Sequence, residues 1–309
     1  MAKRLLDCSA SEISRFSKRE LLDSIAGCEG RVLACETIGA MSPLLGDVTN
    51  AEYAAALGAD ILLLNLFDVR QPLLHALPDV PPKETIRELK RLTGRVVAIN
   101  LEPVDPACVG NTDPNALWQM TPGRMATAEN ARLAAELGVD MVLLTGNPGN
   151  GVRNDAIAHA LREISRAAGE DLILAAGKMH AAGVLGEGGD QILTPFEVDL
   201  FADAGADVIL LPAPGTVPGV TLEWAHDLIT HVHQRRCLAM TAIGTSQEGA
   251  DTDTIRRIAL MCKMAGADIH HIGDTGMPGM ALPQNITAYS VAIRGERHTY
   301  RSMARSINR

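Results

Sequence analysis

Paired cysteines, an excess of basic residues and long apolar runs are all absent from this sequence of 309 residues. The six cysteines are scattered without a CxxC pair, which indicates reduced thiols rather than a disulfide framework or a zinc site. Lys plus Arg number 28 against 37 Asp plus Glu, a net charge of −9, so we expect no nucleic-acid partner, because such proteins present a basic face.

The apolar stretches are short, and the one at 61–67 is already broken by Asn65. None approaches the ~20 residues of a membrane span. No apolar stretch follows the basic N-terminal residues either, so no signal peptide is predicted. We therefore expect a cytoplasmic protein without a membrane partner.

A motif of Gly-(Ala/Val)-Asp followed by an apolar run occurs four times, at 58–60, 138–140, 205–207 and 266–268. Each copy follows a helical stretch, and its glycine suits a helix C-cap because glycine adopts positive φ at little cost. Each following run has the length of a buried parallel strand. The motif predicts four helix-to-strand junctions.

Four further apolar runs, at 32–35, 96–99, 172–176 and 237–242, alternate with these. Helix start signals separate the runs, the clearest being a capping box at 194–197 with proline at the first helical position. Eight strands alternating with eight helices predict an α/β protein with the (β/α)₈ TIM-barrel fold. A doubly wound sheet is the alternative, but its glycine-rich dinucleotide loop is not found after the first run.

We expect one domain over 1–309, with N-terminal helices in 1–30, the barrel over 31–296 and a C-terminal amphipathic helix over 297–309. Capping boxes that begin at Ser9 and Ser17 predict helices that close the barrel floor. Arginines line one face of the C-terminal helix. They are either exposed to solvent or in contact with an anion or a second subunit, so a homo-oligomer is one of the alternatives. Its apolar face is formed by Tyr300, Met303, Ala304 and Ile307.

The active site of such a barrel lies at the C-terminal ends of the strands. Alternation along the strands places one set of polar residues on a shared face, whereas His270 is expected to face the helices. On the fifth strand the shared face is predicted to include Leu172, Leu174 and Ala176. The polar residues expected to converge are Glu36, Asn65, Asn100, Glu102, Asn147, Lys178, His180 and His271.

An amine, imidazoles, carboxylates and carboxamides in one site are the groups needed for proton transfer next to a carbonyl. Lys178 is predicted to be a nucleophile, a base or an electrostatic stabiliser, with an ion pair to Glu36 or Glu102 as the alternative. His180 suits a proton shuttle. The predicted catalytic residues are Lys178, His180, Glu102, Glu36 and His271, and the predicted substrate-binding residues are Asn65, Asn100, Asn147 and Asp274.

Two glycine-containing loops, at 242–249 and 273–279, follow the seventh and eighth strands, where many barrels hold a phosphate. Glycine lets backbone N–H groups approach an anion, and Thr and Ser add donors. Glu248 and Asp274 in these loops carry the opposite charge, and a glycine loop at 146–151 is an alternative. The predicted phosphate-binding residues are Gly244, Thr245, Ser246, Gly273 and Gly276.

The long connection at 103–125 is the candidate lid. It contains Trp118 and Arg124, and Arg124 and Arg70 could each reach a substrate anion or lie on the plain surface. No cofactor is indicated. Mg²⁺ stays open because Glu36, Glu102 and Asp274 supply oxygen ligands, whereas His231 and His233 fall on a helix and are expected to be solvated.

The segments 100–103, 145–149, 176–180, 212–215, 242–249 and 266–274 together resemble an uncharacterised bacterial family of TIM-barrel proteins labelled phosphoenolpyruvate phosphomutase-like. The resemblance covers nearly the whole chain and implies the barrel, but it carries over no catalytic residues. The Asp-rich metal motif of phosphomutase and isocitrate-lyase relatives is not visible. Loops seven and eight resemble those of barrels that bind phosphorylated sugars.

The leading hypothesis is a lyase or isomerase of the aldolase, epimerase or phosphomutase type, acting on a small anionic substrate such as a phosphorylated sugar or keto acid. Two alternatives stay open. One is a non-catalytic barrel that binds a phosphosugar for regulation, and the other is a Mg-dependent hydrolase.

Overall fold

The computed structural model describes residues 3–104, 120–146, 152–181, 188–276 and 278–309. Its eight strands are all parallel and close in sequence order into a barrel, which confirms the predicted (β/α)₈ fold. The strands are β1 (Val32–Ile38), β2 (Ile61–Asn65), β3 (Val96–Leu101), β4 (Met141–Leu144), β5 (Ile173–Gly177), β6 (Val208–Pro212), β7 (Leu238–Ile243) and β8 (Ile269–Ile272).

Helices between the strands form the outer layer, and two short helices precede the barrel. Most begin within a residue or two of the predicted start signals. The helices are α1 (Ala10–Ile13), α2 (Lys18–Ala26), α3 (Asn50–Ala56), α4 (Thr85–Thr93), α5 (Ala128–Leu137), α6 (Asn154–Ala168), α7 (Pro195–Asp203), α8 (Leu222–Gln234), α9 (Thr252–Ala265) and α10 (Pro283–Ala304).

Side chains alternate between the barrel interior and the sheet–helix layer, and the two sets form separate apolar clusters. The predicted inward faces are confirmed on β2, β3, β4 and β8. On β5 the prediction was wrong, because Ile173 and Ala175 point inward while Leu172 and Leu174 pack against the helices. The N–H of Leu172 donates to the backbone oxygen of Ala168 at the end of α6, so β5 begins one residue later than the apolar run.

The N-terminal helices close the barrel floor, since Leu21 and Ile25 join the same apolar cluster as the inward residues at the start of the strands. The segment before them is fastened to the end of α10. Arg301 Nη1 lies 2.7 Å from Asp7 Oδ1, and Arg305 donates to the backbone oxygens of Leu6 and Cys8. These arginines therefore hold the N-terminal segment rather than form an open basic face.

The C-terminal helix differs from its prediction in two respects. It is the second half of α10, which is interrupted at Gly295 with φ 75°, and it ends at Ala304 rather than at the last residue. Its predicted apolar stripe is largely in solvent, because Tyr300 is 54% exposed while Thr299 is buried. Periodicity located the helix and its apolar stripe but did not determine which face packs against the barrel.

The repeated Gly-x-Asp motif joins neighbouring strands at the N-terminal end of the barrel. Each of its glycines has a φ between 95° and 105°. The N–H of each aspartate donates to a backbone oxygen on the preceding strand, and the N–H of that same strand residue donates back to the aspartate side chain. The side-chain bonds run from Leu33 to Asp60, Val97 to Asp140, Leu174 to Asp207 and Ala239 to Asp268, at 2.8–2.9 Å.

Each of these four aspartates, here called the strand-clamp aspartates, also has a cationic partner. Asp60 pairs with Arg294 at 2.5 Å, and Asp140, Asp207 and Asp268 pair with Lys90, Lys18 and His233 at 2.7–2.9 Å. His233 was expected to be solvated but serves the fourth clamp, and His231 lies 2.9 Å from Asp199. The clamps fix the register between β1 and β2, β3 and β4, β5 and β6, and β7 and β8.

Among the helices of the described ranges, none combines the length and apolarity required to cross a membrane. Five of the six cysteines fall in those ranges, and all five are free thiols.

The clamp at Asp60 is expected to stabilise the fold most, because its Arg294 side chain is fully buried whereas that of His233 is 43% exposed. Asp60→Ala should lower the free energy of unfolding by about 3–5 kcal/mol, because it leaves the buried guanidinium of Arg294 without its carboxylate partner. Asp268→Ala removes the same backbone contact but leaves a cation that water can reach, so we expect about 1–3 kcal/mol. Urea unfolding of both variants measures the difference, and equal losses would contradict this ranking.

Candidate active site

A cavity of about 370 Å³ opens at the C-terminal ends of the strands. Seven of the eight strand ends contribute residues to its wall, so polar groups far apart in the sequence face one space. Those residues are Glu36, Asn65, Leu66, Asn100, Glu102, Arg124, Thr145, Gly146, Met179, His180, Gly244, Thr245, Glu248, Gly273 and Asp274.

Two asparagines stand side by side on β2 and β3. Leu64 pairs with Ile99 in the sheet, so Asn65 and Asn100 follow in adjacent positions. Asn65 donates from Nδ2 to Asp274 Oδ2 at 2.9 Å. Asn100 Oδ1 is buried and accepts no hydrogen bond from the described residues. The second amide therefore has capacity left for a ligand.

Glu102 forms a buried ion pair with Arg124, whose Nη2 donates to Oε1. The segment around Arg124 lies against the end of β3, because the N–H of Glu102 donates to the oxygen of Arg124 and the N–H of Ala126 donates to the oxygen of Glu102. Burial raises the pKa of Glu102, and the nearby guanidinium opposes that rise. The pair places a fixed cation on the cavity wall.

His180 lines the cavity, and its pKa is lowered by burial and then by the neighbouring charge of Lys178, against a smaller opposing effect of Glu36. A histidine with a lowered pKa is neutral at neutral pH and can accept a proton. His180 is thus prepared to act as a base.

Lys178 itself is only 1% exposed, and it is not among the described residues that line the cavity. Its position follows from the reversed alternation of β5, which sends Met179 rather than Lys178 toward the interior cluster. Lys178 acts on the cavity through its charge on His180 in this arrangement.

Glu36 and His271 occupy neighbouring strands inside the barrel. His271 Nε2 lies 3.2 Å from Glu36 Oε2, without the alignment of a hydrogen bond, and its ring is fully buried. His270 points the other way, as predicted. It contacts the backbone oxygen of Gly30 at 3.1 Å and the ring of Tyr289, and burial lowers its pKa to about 3.

Asp274 has its pKa raised to about 7, first by burial and then by the charge of Glu36. The amide of Asn65 and the N–H of Gly276 oppose the rise, and Glu248 adds to it. Burial likewise raises the pKa of Glu248. The charge of Glu36 therefore raises the pKa of both carboxyl groups that share its side of the cavity, those of Asp274 and Glu248.

The predicted phosphate loops are largely occupied by internal bonds. The N–H of Gly273 donates to Ile243, that of Gly276 donates to Asp274, and the hydroxyl of Thr245 lies 2.5 Å from the oxygen of Thr216. The N–H of Ser246 lowers the pKa of Glu248, so it faces a carboxylate of the same loop. Gly244 lines the cavity, but this arrangement gives phosphate binding no support.

In the ranges that the structure describes, no three His, Cys, Asp or Glu side chains are placed together to hold a metal ion. Glu102, one of the three residues considered for Mg²⁺, is instead paired with Arg124. None of the chemical steps proposed below involves a metal ion.

Several predictions concern residues outside the described ranges, including Asn147, Trp118 and most of the candidate lid. Arg70 contacts Glu129 and Asn130 at the surface of α5 rather than the cavity. Glu248 was not predicted to bind substrate, and Arg124 was left between a substrate contact and the plain surface. The sequence pattern gives little indication that these two residues line the cavity, because each reaches it on a loop that folds back on a strand end.

Because Asp274 binds its proton more tightly in the folded chain than when unfolded, unfolding releases a proton between pH 4 and pH 7. The free energy of unfolding therefore falls as pH rises through this window, and the loss is complete above pH 7. Asp274→Asn should remove this pH dependence. The free energy of unfolding of the variant, relative to that of the unmodified protein, should therefore be about 3 kcal/mol higher at pH 8 than at pH 5. Urea unfolding at both values tests this, with the exposed Asp227→Asn as control. A pH-independent difference would contradict the assigned ionisation.

Comparison with solved structures agrees with the fold. A Schiff-base-forming fructose-1,6-bisphosphate aldolase matches with a TM-score of 0.57 and 13% identity, covering 89% of this chain and 99% of that one. The carboxyl transferase domain of Rhizobium etli pyruvate carboxylase, bearing Y628A and with pyruvate, gives 0.53 and 13%, covering 96% and 53%. A putative lyase/mutase from Burkholderia cenocepacia gives 0.46 and 18%, covering 83% and 81%.

At these identities the similarity concerns the fold. No curated protein matches the chain. A family model matches residues 6–309, nearly the whole sequence, so the chain belongs to the family described as Domain of unknown function (DUF7916).

Proposed function

We propose that this protein is a lyase or isomerase that forms an enolate from a small hydroxylated carbonyl substrate held in the cavity. One observation carries the proposal: a half-buried imidazole, a buried guanidinium and several carboxyl groups, of which Asp274 and Glu248 have raised pKa values, face a single space of about 370 Å³. Pairs of titratable groups with separated pKa values are typical of acid–base catalysis.

His180 is the proposed base. In an isomerisation it takes a proton from the carbon next to the substrate carbonyl, and the C–H electron pair forms the enolate as the carbonyl electrons move onto oxygen. Return of the proton to another position completes the reaction. In a cleavage His180 instead takes the proton of a β-hydroxyl, whose O–H electrons form the carbonyl of the first product while the breaking C–C bond supplies the enolate electrons. Return of the proton to the enolate carbon releases the second product.

The negative oxygen of the enolate needs a nearby positive charge that does not have to reorganise. Arg124 supplies one on the cavity wall, where its bond to Glu102 fixes the guanidinium. Lys178 adds a second positive charge within electrostatic range of His180. We assign Lys178 an electrostatic role, because an amine that is 1% exposed is poorly placed to attack a substrate carbonyl.

The asparagines would orient the substrate. Asn65 is held by Asp274, and Asn100 presents an unused acceptor to the cavity, so together they can bind hydroxyl groups next to the reacting carbon. Asp274, with a pKa of about 7, can return a proton at neutral pH. A phosphate on the substrate is not part of the proposal.

Exchange of substrate C–H for deuterium from solvent tests the central step. The protein should catalyse exchange in members of a panel of hydroxylated keto acids, aldoses and ketoses, detected by proton nuclear magnetic resonance. His180→Asn should slow exchange by roughly 10²- to 10⁴-fold, because it removes the base but keeps a polar side chain.

His226→Asn, an exposed histidine on α8, is the matched control and should exchange at the unmodified rate. Full exchange by His180→Asn would exclude His180 as the base. A barrel that binds panel members without exchanging any would instead be a non-catalytic binding protein.

Borohydride reduction separates the two roles considered for Lys178. With a substrate that exchanges, we expect no added mass on the peptide that contains Lys178, because the buried amine does not form an imine. Mass spectrometry of the reduced and digested protein measures this. An adduct at Lys178 would replace the electrostatic role with covalent catalysis.

A further inference from the structure

Two buried acceptor atoms in the cavity lack hydrogen-bond partners among the described residues. They are Oε2 of Glu248 and Oδ1 of Asn100, and both side chains line the cavity while only 8% of each residue is exposed. A buried polar atom without a partner costs roughly 1–3 kcal/mol. Two such atoms facing one space indicate a ligand that brings hydrogen-bond donors.

The acceptor on Glu248 belongs to a side of the cavity that is rich in negative charge. The pairing of Cys35 with Ile272 brings Glu36 next to Gly273, and the carboxyl of Glu248 lies against that same glycine. Asp274 follows directly and interacts with both carboxylates. We call Glu36, Glu248 and Asp274 the acidic wall.

Besides burial, the charges of Glu36 and Glu248 raise the pKa of Asp274, and a positive charge brought beside these carboxyl groups would relieve that repulsion. The acidic wall is opposite in character to the Glu102–Arg124 pair, which is internally balanced. The cavity is therefore asymmetric in charge, with a balanced ion pair near the end of β3 and an excess of carboxylate near β1 and β8.

We infer that the substrate of the proposed reaction carries a protonated amino group, which binds the acidic wall through Glu248 while its hydroxyl groups reach Asn100. This inference rests on the proposed function, because it takes the same cavity as the substrate site. An ammonium group supplies both features that the wall requires, a positive charge and several N–H donors. A phosphate would meet three carboxylates.

A metal ion would also bring positive charge, but the donor groups in the described ranges are not clustered as metal ligands. An ammonium group needs no such coordination geometry, since single hydrogen bonds that it donates to carboxylate and amide oxygens suffice. The wall therefore fits an organic cation better than a bare one.

Binding of matched compounds tests the inference without turnover. One set is serinol, glycerol and glycerol 2-phosphate, which differ only in the group on the central carbon, and a second is 6-amino-6-deoxyglucose, glucose and glucose 6-phosphate. We expect the amine of at least one set to bind at least tenfold more tightly than its hydroxyl and phosphate counterparts at pH 7.5, measured by nuclear magnetic resonance titration.

Glu248→Gln should weaken amine binding by at least tenfold, because it removes the charge and keeps the shape. Glu223→Gln, at an exposed position of α8, is the matched control and should leave binding unchanged. Tighter binding of the phosphates, equal binding of amine and hydroxyl, or no detectable amine binding would each overturn the inference. So would Mg²⁺ binding that blocks the amine and is lost in Glu248→Gln.

The acidic wall also sets the expected pH dependence. Asp274 faces Glu36, Glu248, Asn65 and the N–H of Gly276, and it ionises near pH 7. Amine affinity should rise about tenfold between pH 6 and pH 8 as Asp274 loses its proton, and Asp274→Asn should flatten this rise. His180→Asn should still bind the amine, so a failure of the proposed chemistry and a failure of the inferred ligand would be seen separately.

Discussion

The hydrogen bonds of four aspartates to neighbouring strands are the constraint on which the rest of the barrel depends. Each strand-clamp aspartate joins its own strand to the preceding one through the backbone in one direction and the side chain in the other. Because side chains alternate along a strand, a slip of one residue would turn every strand-end group away from the cavity. Four clamps at the closed end thus determine which groups meet at the open end.

Polar groups at that open end are arranged at a cost to stability. Asp274 and Glu248 are both buried near Glu36, and their pKa values are raised first by that burial and then by the charge of Glu36. Proteins tolerate such strain at functional sites, where a ligand relieves it. The buried pair of Glu102 and Arg124 differs, because its charges are balanced within the protein and hold a loop against β3.

The sequence predicted the eight strands and most helices because glycine caps, capping boxes and the Gly-x-Asp repeat are local signals. It also predicted the inward faces of strands such as β3, where Asn100 and Glu102 mark the parity of the run. It failed on the inward face of β5, a run of apolar residues in which nothing polar marks either face. Glu248 was missed as a site residue and Arg124 was left between a substrate contact and the surface, because their positions depend on how loops fold back in space.

The fourth clamp differs from the others in the kind of cation it uses. Arg294, Lys90 and Lys18 are arginine or lysine side chains, whereas His233 is a histidine whose pKa is raised mainly by its hydrogen bond to Asp268. Its charge is present in acid and disappears as the solution becomes alkaline. The Asp268 clamp between β7 and β8 thus has a cationic partner whose charge depends on pH. The C-terminal ends of β7 and β8 lead to Glu248 and Asp274. A rise in pH therefore weakens the clamp at the N-terminal ends of the two strands that carry these buried carboxyl groups.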